Sequence, residues 1–150
     1  MKLKASDNMA PIRQQLLGFI EPDDSVVEFG CGSGDLLFGL AGRIKAGLGI
    51  DNSAISINKA LREKEKRGLQ HIDFACASLG YNYLPAGVYD VAIASLFFHV
   101  IPRQEAIYIL KKMRELTGNS ADLRIFAPGN IFTKAVALAR PKALRPLPEF

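Results

Sequence analysis

The chain has 150 residues, a formal net charge of +4 and a hydrophobic fraction of 49%. These values indicate one domain with a buried core, and no apolar run approaches the roughly 20 residues needed to cross a bilayer. The mild charge neither demands nor excludes a nucleic-acid partner. Two cysteines, Cys31 and Cys76, are too few for a disulfide framework or a metal cluster and are expected to be reduced core residues. Reduced cysteines and the lack of an apolar signal-peptide core after Met1 together predict a cytoplasmic protein.

A short helix is predicted near the N-terminus, and a buried strand is predicted after it. The helix spans about 9–20, where apolar residues repeat at helical spacing and Pro11 suits a first turn. Turn-forming residues follow this helix. The apolar run 26–29 then predicts the strand.

Glycines at alternate positions, Gly30, Gly32 and Gly34, lead from this strand into a helix that begins near Asp35. Glycine permits positive φ and leaves no Cβ between the main chain and a ligand. The first amides of the helix point back toward the same place. This segment therefore predicts a strand–loop–helix cradle for a ligand that comes very close to the backbone.

The glycine spacing and the acid before it narrow the ligand class. A dinucleotide fingerprint requires G-x-G-x-x-G and a P-loop requires Gly-Lys-Ser/Thr, whereas this chain has G-x-G-x-G. Glu28 stands just ahead of the loop, where a carboxylate repels a pyrophosphate and suits a cationic amine or sulfonium. The pattern E-x-G-x-G-x-G resembles the first motif of the class I S-adenosylmethionine-dependent methyltransferases.

Further strands alternate with helices along the rest of the chain. The expected elements are strands at 46–50, 72–76, 89–95 and 121–127 and helices at 53–67 and 102–118. Such alternation predicts an α/β fold, a Rossmann-like doubly wound and mainly parallel sheet of about five strands. Ligands of such sheets bind beyond the carboxyl ends of the strands, at the point where the strand order reverses.

The C-terminal segment departs from the family pattern. The family sheet normally closes with a reversed pair of strands after the fifth, whereas here 131–139 is predicted to be helical and a basic, proline-rich tail begins at Arg140. The chain is thus expected to be one methyltransferase-like domain without that strand pair. It comprises an N-terminal helical segment (1–24), a cofactor-binding core (25–127) and a C-terminal helix and tail (128–150).

The resemblance implies cofactor contacts at the carboxyl ends of the strands. Asp51 ends the second strand, where an acid holds the ribose hydroxyls, although Asp51 or Ser53 also suits the N-cap of the next helix. The resemblance also implies that Glu28 faces the methionine amine. Ser78 stands where many members have an aspartate for the adenine amino group, and its hydroxyl accepts a weaker hydrogen bond. The implied cofactor-binding residues are Glu28, Gly30, Cys31, Gly32, Gly34, Asp51, Asn52, Ser78, Leu79 and Ser95.

The segment after the fourth strand again resembles small-molecule methyltransferases, because it contains a histidine, His99, with a proline, Pro102, three residues later. His99 can accept a proton near an incoming acceptor at neutral pH. A histidine between Phe98 and Val100 equally suits an ordering role in the loop. The sulfonium already carries an activated methyl group, so the motifs that identify the cofactor say little about the acceptor.

The predicted function is methyl transfer from S-adenosyl-L-methionine, with S-adenosyl-L-homocysteine as product, to a small-molecule acceptor. Open alternatives are a partner-dependent cofactor-binding module, an RNA methyltransferase that uses the basic tail, and a nicotinamide-dependent oxidoreductase, which the glycine spacing disfavours. No membrane partner is expected. A homodimer or a partner protein is expected through apolar residues of the C-terminal segment, because strand five would otherwise be an open sheet edge. These residues are Ile131, Phe132, Val136 and Leu138.

Overall fold

The computed structural model describes residues 16–78, 85–95, 102–118, 122–126 and 136–140. The elements are β1 (Ser25–Phe29), α1 (Asp35–Leu40), β2 (Ala46–Asp51), α2 (Ala54–Arg67), β3 (Ile72–Cys76), β4 (Val91–Ser95), α3 (Arg103–Leu116), β5 (Asp122–Phe126) and β6 (Val136–Arg140). Of the predicted N-terminal helix, residues 16 and 17 are helical and the part before them lies outside the described residues.

The strands form one six-stranded sheet in the order β3-β2-β1-β4-β6-β5. The strands β3, β2, β1 and β4 pair in parallel, while β6 runs antiparallel to both of its neighbours. From β1 the chain continues outward to β2 and β3 and then returns to place β4 on the other side. The strand order therefore reverses between β1 and β4, and the expected α/β class with a parallel core is confirmed. A ligand of such a sheet binds at the carboxyl ends of these two strands.

Helices cover both faces of the parallel strands. On one face, Val26 of β1 packs with Leu37 of α1 and Ile57 of α2. On the other face, Val27 and Phe29 of β1 pack with apolar residues of α3, which are Ile109, Met113 and Leu116. Side chains alternate between the two faces of a strand, so apolar residues at adjacent positions are both buried. The predicted doubly wound arrangement is confirmed.

The second helix, α2, begins and ends where its capping residues predict. The Ser53 hydroxyl accepts a hydrogen bond from the Ser56 amide at 3.3 Å, and Gly68 ends the helix with φ 65°. The buried face contains Ile57 and Ala60, whereas Ala54 is exposed. Local signals therefore determine the ends of this helix, and packing on the sheet determines which face is buried.

The C-terminal segment corrects two predictions. Residues 136–139 belong to the strand β6 rather than to a helix, so the sheet has six strands instead of about five. The sequence Val-Ala-Leu-Ala has alternating large and small apolar residues, and so short an apolar run does not distinguish a strand from a helix. Pairing with the open edge of β4 decides the matter, with Leu138 opposite Ile93.

This correction also removes part of the expected partner surface. Val136 and Leu138 lie in a strand between β4 and β5 rather than on a free helix, while Ile131 and Phe132 lie outside the described residues. The proline-rich segment 141–150 also lies outside them. A dimer or partner at this end of the chain therefore has no support from Val136 and Leu138.

Candidate cofactor-binding site

The glycine loop crosses the carboxyl ends of β1 and β2. Backbone amides of Gly30 and Cys31 both donate to the Ile50 carbonyl, at 2.8 and 3.1 Å. The Gly34 amide donates to the Cys31 carbonyl at 3.0 Å. Gly30, Gly32 and Gly34 have φ values of 74°, 56° and 88°. These left-handed conformations are costly for residues with a Cβ, which explains the alternate glycines.

The glycines of the loop face different surroundings. A Cβ at Gly32 would meet nothing within 4 Å, whereas a Cβ at Gly34 would lie 2.6 Å from the Phe74 ring and 2.9 Å from the Phe38 ring. Gly34 therefore allows the loop to pack on the core, while Gly32 leaves the main chain open to a ligand. The sequence pattern predicts that all three glycines belong to the loop, but it does not distinguish these two roles.

Asp51 connects the glycine loop to the start of α2. Its Oδ2 accepts a hydrogen bond from the Gly32 amide at 2.9 Å, and its Oδ1 accepts one from the Ser53 amide at 2.8 Å. Ser53 is the N-cap of α2, as predicted, so the capping role belongs to Ser53 and Asp51 takes a separate one. A carboxylate oxygen has two lone pairs, so both oxygens of Asp51 can still accept from the hydroxyls of a ligand.

Glu28 occupies the centre of the sheet next to this loop. It pairs in register with Gly49 of β2 and Ile93 of β4, and its exposed fraction is 3%. Desolvation by burial, followed by the negative charges of Glu28 and Asp51, raises the pKa of the Cys31 thiol far above its ordinary value. Both carboxyl groups therefore lie close enough to the Cys31 thiol to disfavour its ionisation.

The two cysteines differ, although the sequence predicts that both are core residues. Cys31 is buried as expected, but Cys76 is exposed. Cys76 ends β3 opposite Asp51, and its Sγ lies 3.8 Å from the Asn52 carbonyl oxygen. Cys76 therefore lies beside the candidate site, and it was not among the site residues predicted from the sequence. The signal for it was available, because the last residues of neighbouring parallel strands share one edge of the sheet.

Alkylation should separate the two thiols. Iodoacetamide at pH 8 is expected to modify Cys76 and to spare Cys31 in the native protein, because the thiolate is the nucleophile and burial keeps Cys31 protonated. Peptide mass spectrometry measures the result, and the urea-unfolded chain, in which both cysteines should react, is the control. Equal modification of both cysteines in the native protein would contradict the burial of Cys31.

The other predicted site residues follow the same edge of the sheet. Asn52 is exposed beside Asp51, and Ser78 is exposed two residues after β3. The Ala77 amide donates to the Asp51 carbonyl at 2.9 Å and so holds this segment beside β2. Ser95 is the last residue of β4. Leu79 and His99 lie outside the described residues.

A groove of about 480 Å³ opens between α1 and α2, and Ser33 of the glycine loop is among the residues that line it. The Arg67 guanidinium lies 4.8 Å from the centre of the Phe38 ring and donates to Glu63 at 2.7 Å. The groove is lined by two acidic and two basic side chains, so its charge favours neither anionic nor cationic ligands. The residues that line it are Ser33, Asp35, Phe38, Gly39, Lys59, Glu63 and Arg67.

The described part of the chain contains neither a candidate metal site nor a candidate membrane-spanning helix. Among these residues, no three histidine, cysteine or acidic side chains come together in a way that could hold a metal ion. No helix in the same ranges is both long enough and apolar enough to cross a membrane.

Comparison with known proteins identifies the family. A profile described as "Methyltransferase domain" matches residues 26–119, which span the core from β1 to the end of α3. The chain therefore belongs to the methyltransferase domain family, and the predicted class I S-adenosylmethionine-dependent methyltransferase resemblance is confirmed. S-adenosylmethionine is the cofactor of this family, as the sequence analysis expected.

A curated relative gives a more specific comparison. Nocamycin O-methyltransferase from Saccharothrix syringae is 29% identical to this chain over 65% of the chain. The match covers 36% of that relative, so the chain spans about a third of its length.

Solved structures show the same fold. TehB from Haemophilus influenzae has a TM-score of 0.67 at 18% identity, with 95% of this chain and 64% of that chain covered. The DhpI–SAH complex has a TM-score of 0.64 at 18% identity and covers 91% and 86% of the two chains. A SAM-dependent methyltransferase from Geobacter sulfurreducens, in complex with S-adenosyl-L-homocysteine, has a TM-score of 0.55 at 21% identity and covers 71% and 43%.

Proposed function

We propose that this chain binds S-adenosylmethionine at the carboxyl ends of β1, β2 and β4 and transfers its methyl group to a small-molecule acceptor. One observation carries the proposal. The Asp51 carboxylate, at the carboxyl end of β2, accepts from the amide of Gly32, which has open space beside its Cα. Both residues lie next to β1, where the strand order reverses.

The residues at this edge fit the cofactor in chemical type. The open space beside Gly32 admits a ligand to the backbone, and the free lone pairs of Asp51 suit the two hydroxyls of a ribose. The methionine amine is proposed to lie near Glu28, whose carboxyl is buried next to the loop. When bound, the cofactor supplies a methyl group already activated by the sulfonium. The work of the chain is then to bind the cofactor, orient the acceptor and exclude water.

The class of the methyl acceptor, a small molecule, is a separate and more specific part of the proposal. It is supported by the curated relative, which is named as an O-methyltransferase of nocamycin. A base role for His99 belongs to the same proposal, because an acceptor hydroxyl must lose its proton on methylation. The proposed core is 25–127, to which β6 adds a strand. A cytoplasmic location is also proposed, since Cys31 and Cys76 are free thiols.

Calorimetry tests the cofactor directly. Titration of the full chain with S-adenosylmethionine or S-adenosylhomocysteine is expected to give heat and to raise the melting temperature, because a ligand that binds the native state stabilises it. Reduced nicotinamide cofactors are the matched control and are expected to do neither. Absence of heat and of a thermal shift at millimolar S-adenosylmethionine would refute the proposal.

The acceptor needs a separate experiment. The chain is incubated with S-adenosylmethionine and a panel of hydroxylated small molecules, and release of S-adenosylhomocysteine is measured. Turnover by a species that light scattering shows to be monomeric supports an independent enzyme. Cofactor binding without turnover favours the partner-dependent module instead, and retention on RNA that salt abolishes favours a nucleic-acid substrate.

A further inference from the structure

The Asp51 carboxylate accepts backbone amides from two different elements. Gly32 lies 19 residues before Asp51 in the glycine loop, and Ser53 lies two residues after it at the start of α2. The distances, 2.9 and 2.8 Å, are in the normal range of charge-assisted hydrogen bonds. One side chain thus joins the middle of the loop to the helix that follows β2.

We propose that Asp51 is a positioning residue that holds the glycine loop in its ligand-ready conformation before any ligand arrives. The proposal rests on the proposed function only in naming the loop as the cofactor loop. It assigns Asp51 a task in the free protein that is separate from contact with a ribose.

The loop needs such a link because its backbone is unusually free. Three glycines at positive φ lose more conformational entropy on ordering than other residues do. Backbone hydrogen bonds hold both ends of the loop, through the Ile50 and Cys31 carbonyls. Among the described residues, Asp51 is the acceptor recorded for the Gly32 amide, in the middle of the loop. A loop ordered in advance costs less to bind a ligand.

A carboxylate is the required group at this position. Its two oxygens can both accept, so each faces one amide donor. An asparagine has the same size but only one acceptor oxygen. Whichever way its amide turns, an NH₂ group would face a backbone N–H, so Asp51→Asn is not a conservative change.

Amide hydrogen exchange on the ligand-free full chain tests this role. In Asp51→Ala, which removes both acceptor oxygens, exchange at Gly32 is expected to rise by a factor of about 10 to 150, the equivalent of losing a hydrogen bond to a charged group. Exchange at Val27 and Ile93, in the buried central strands, reports global opening and is expected to rise by a smaller factor, because their own hydrogen bonds remain in place. Ser53→Ala is the matched control, because it removes the capping hydroxyl but leaves the Ser53 amide and Asp51 in place.

The outcomes separate local positioning from general stability. If Gly32 exchange in Asp51→Ala equals that of the wild type, or rises by no larger a factor than exchange at Val27 and Ile93, the positioning role is refuted. An equal rise at Gly32 in Ser53→Ala refutes it as well. Should Asp51→Ala not fold, Asp51→Asn is the second variant: its single acceptor oxygen can serve only one of the two amides, so exchange should rise at Gly32 or at Ser53, and no rise at either would refute the role. No S-adenosylmethionine is present, so the result is independent of the calorimetric test of the proposed function.

Discussion

Replacing Asp51 with alanine is expected to weaken S-adenosylmethionine binding by about 1–3 kcal/mol, or roughly 5- to 150-fold in dissociation constant. We propose that this carboxylate accepts from the ribose hydroxyls, and it also accepts from the Gly32 amide at 2.9 Å. The substitution removes both contributions. Calorimetric titration of the variant and the wild type measures the difference.

Asp73→Ala is the matched control for this prediction. Asp73 also belongs to the parallel part of the sheet, but its side chain is 67% exposed and pairs with Lys64 at 3.1 Å. An exposed ion pair contributes little, so both stability and cofactor affinity should stay close to the wild type. Equal affinity in Asp51→Ala and the wild type would show that Asp51 does not contact the cofactor. An equal loss in Asp73→Ala would show that the effect is not specific to the site.

Replacing Gly34 with alanine is expected to lower the free energy of unfolding by about 2–4 kcal/mol. The new Cβ would lie 2.6 Å from the Phe74 ring, and the residue would keep φ near 88°. The Phe38 and Phe74 rings pack with centroids 5.3 Å apart, so neither ring can move without disturbing the other. Urea unfolding of the ligand-free chain measures the loss.

Two further glycines serve as controls for Gly34. Gly32→Ala meets open space and costs only the left-handed strain of about 1–2 kcal/mol, yet its methyl group would point where the cofactor is proposed to bind. Gly39 lies in α1 with nothing near its Cβ position, so Gly39→Ala is expected to stabilise the chain by about 0.5–1 kcal/mol. A Gly34→Ala variant as stable as Gly32→Ala would contradict the packing role of Gly34.

Local signals in the sequence determined most of the element boundaries. The strand predicted at 72–76 is β3, and the helix from 54 to 67 has the capping residues Ser53 and Gly68 that define its ends. Both succeed because caps and short apolar runs between turns act over a few residues. The same holds for the glycine loop and Asp51, since glycine spacing and an acid after the next strand are properties of neighbouring sequence. These motifs also identified the family.

Only the tertiary structure decided features that depend on residues far apart in the chain. Val136–Arg140 is a strand because β4 offers an unpaired edge, and no local pattern reveals that edge. Cys31 and Cys76 differ in burial because Cys31 belongs to the core cluster that contains Phe74, whereas Cys76 ends the edge strand β3 outside that cluster. Gly34 packs against Phe74, 40 positions later in the sequence, while Gly32 faces open space. The sequence by itself indicated the glycine loop and Asp51 at the carboxyl ends of the strands, and the packing of the sheet determined what each of them contacts there.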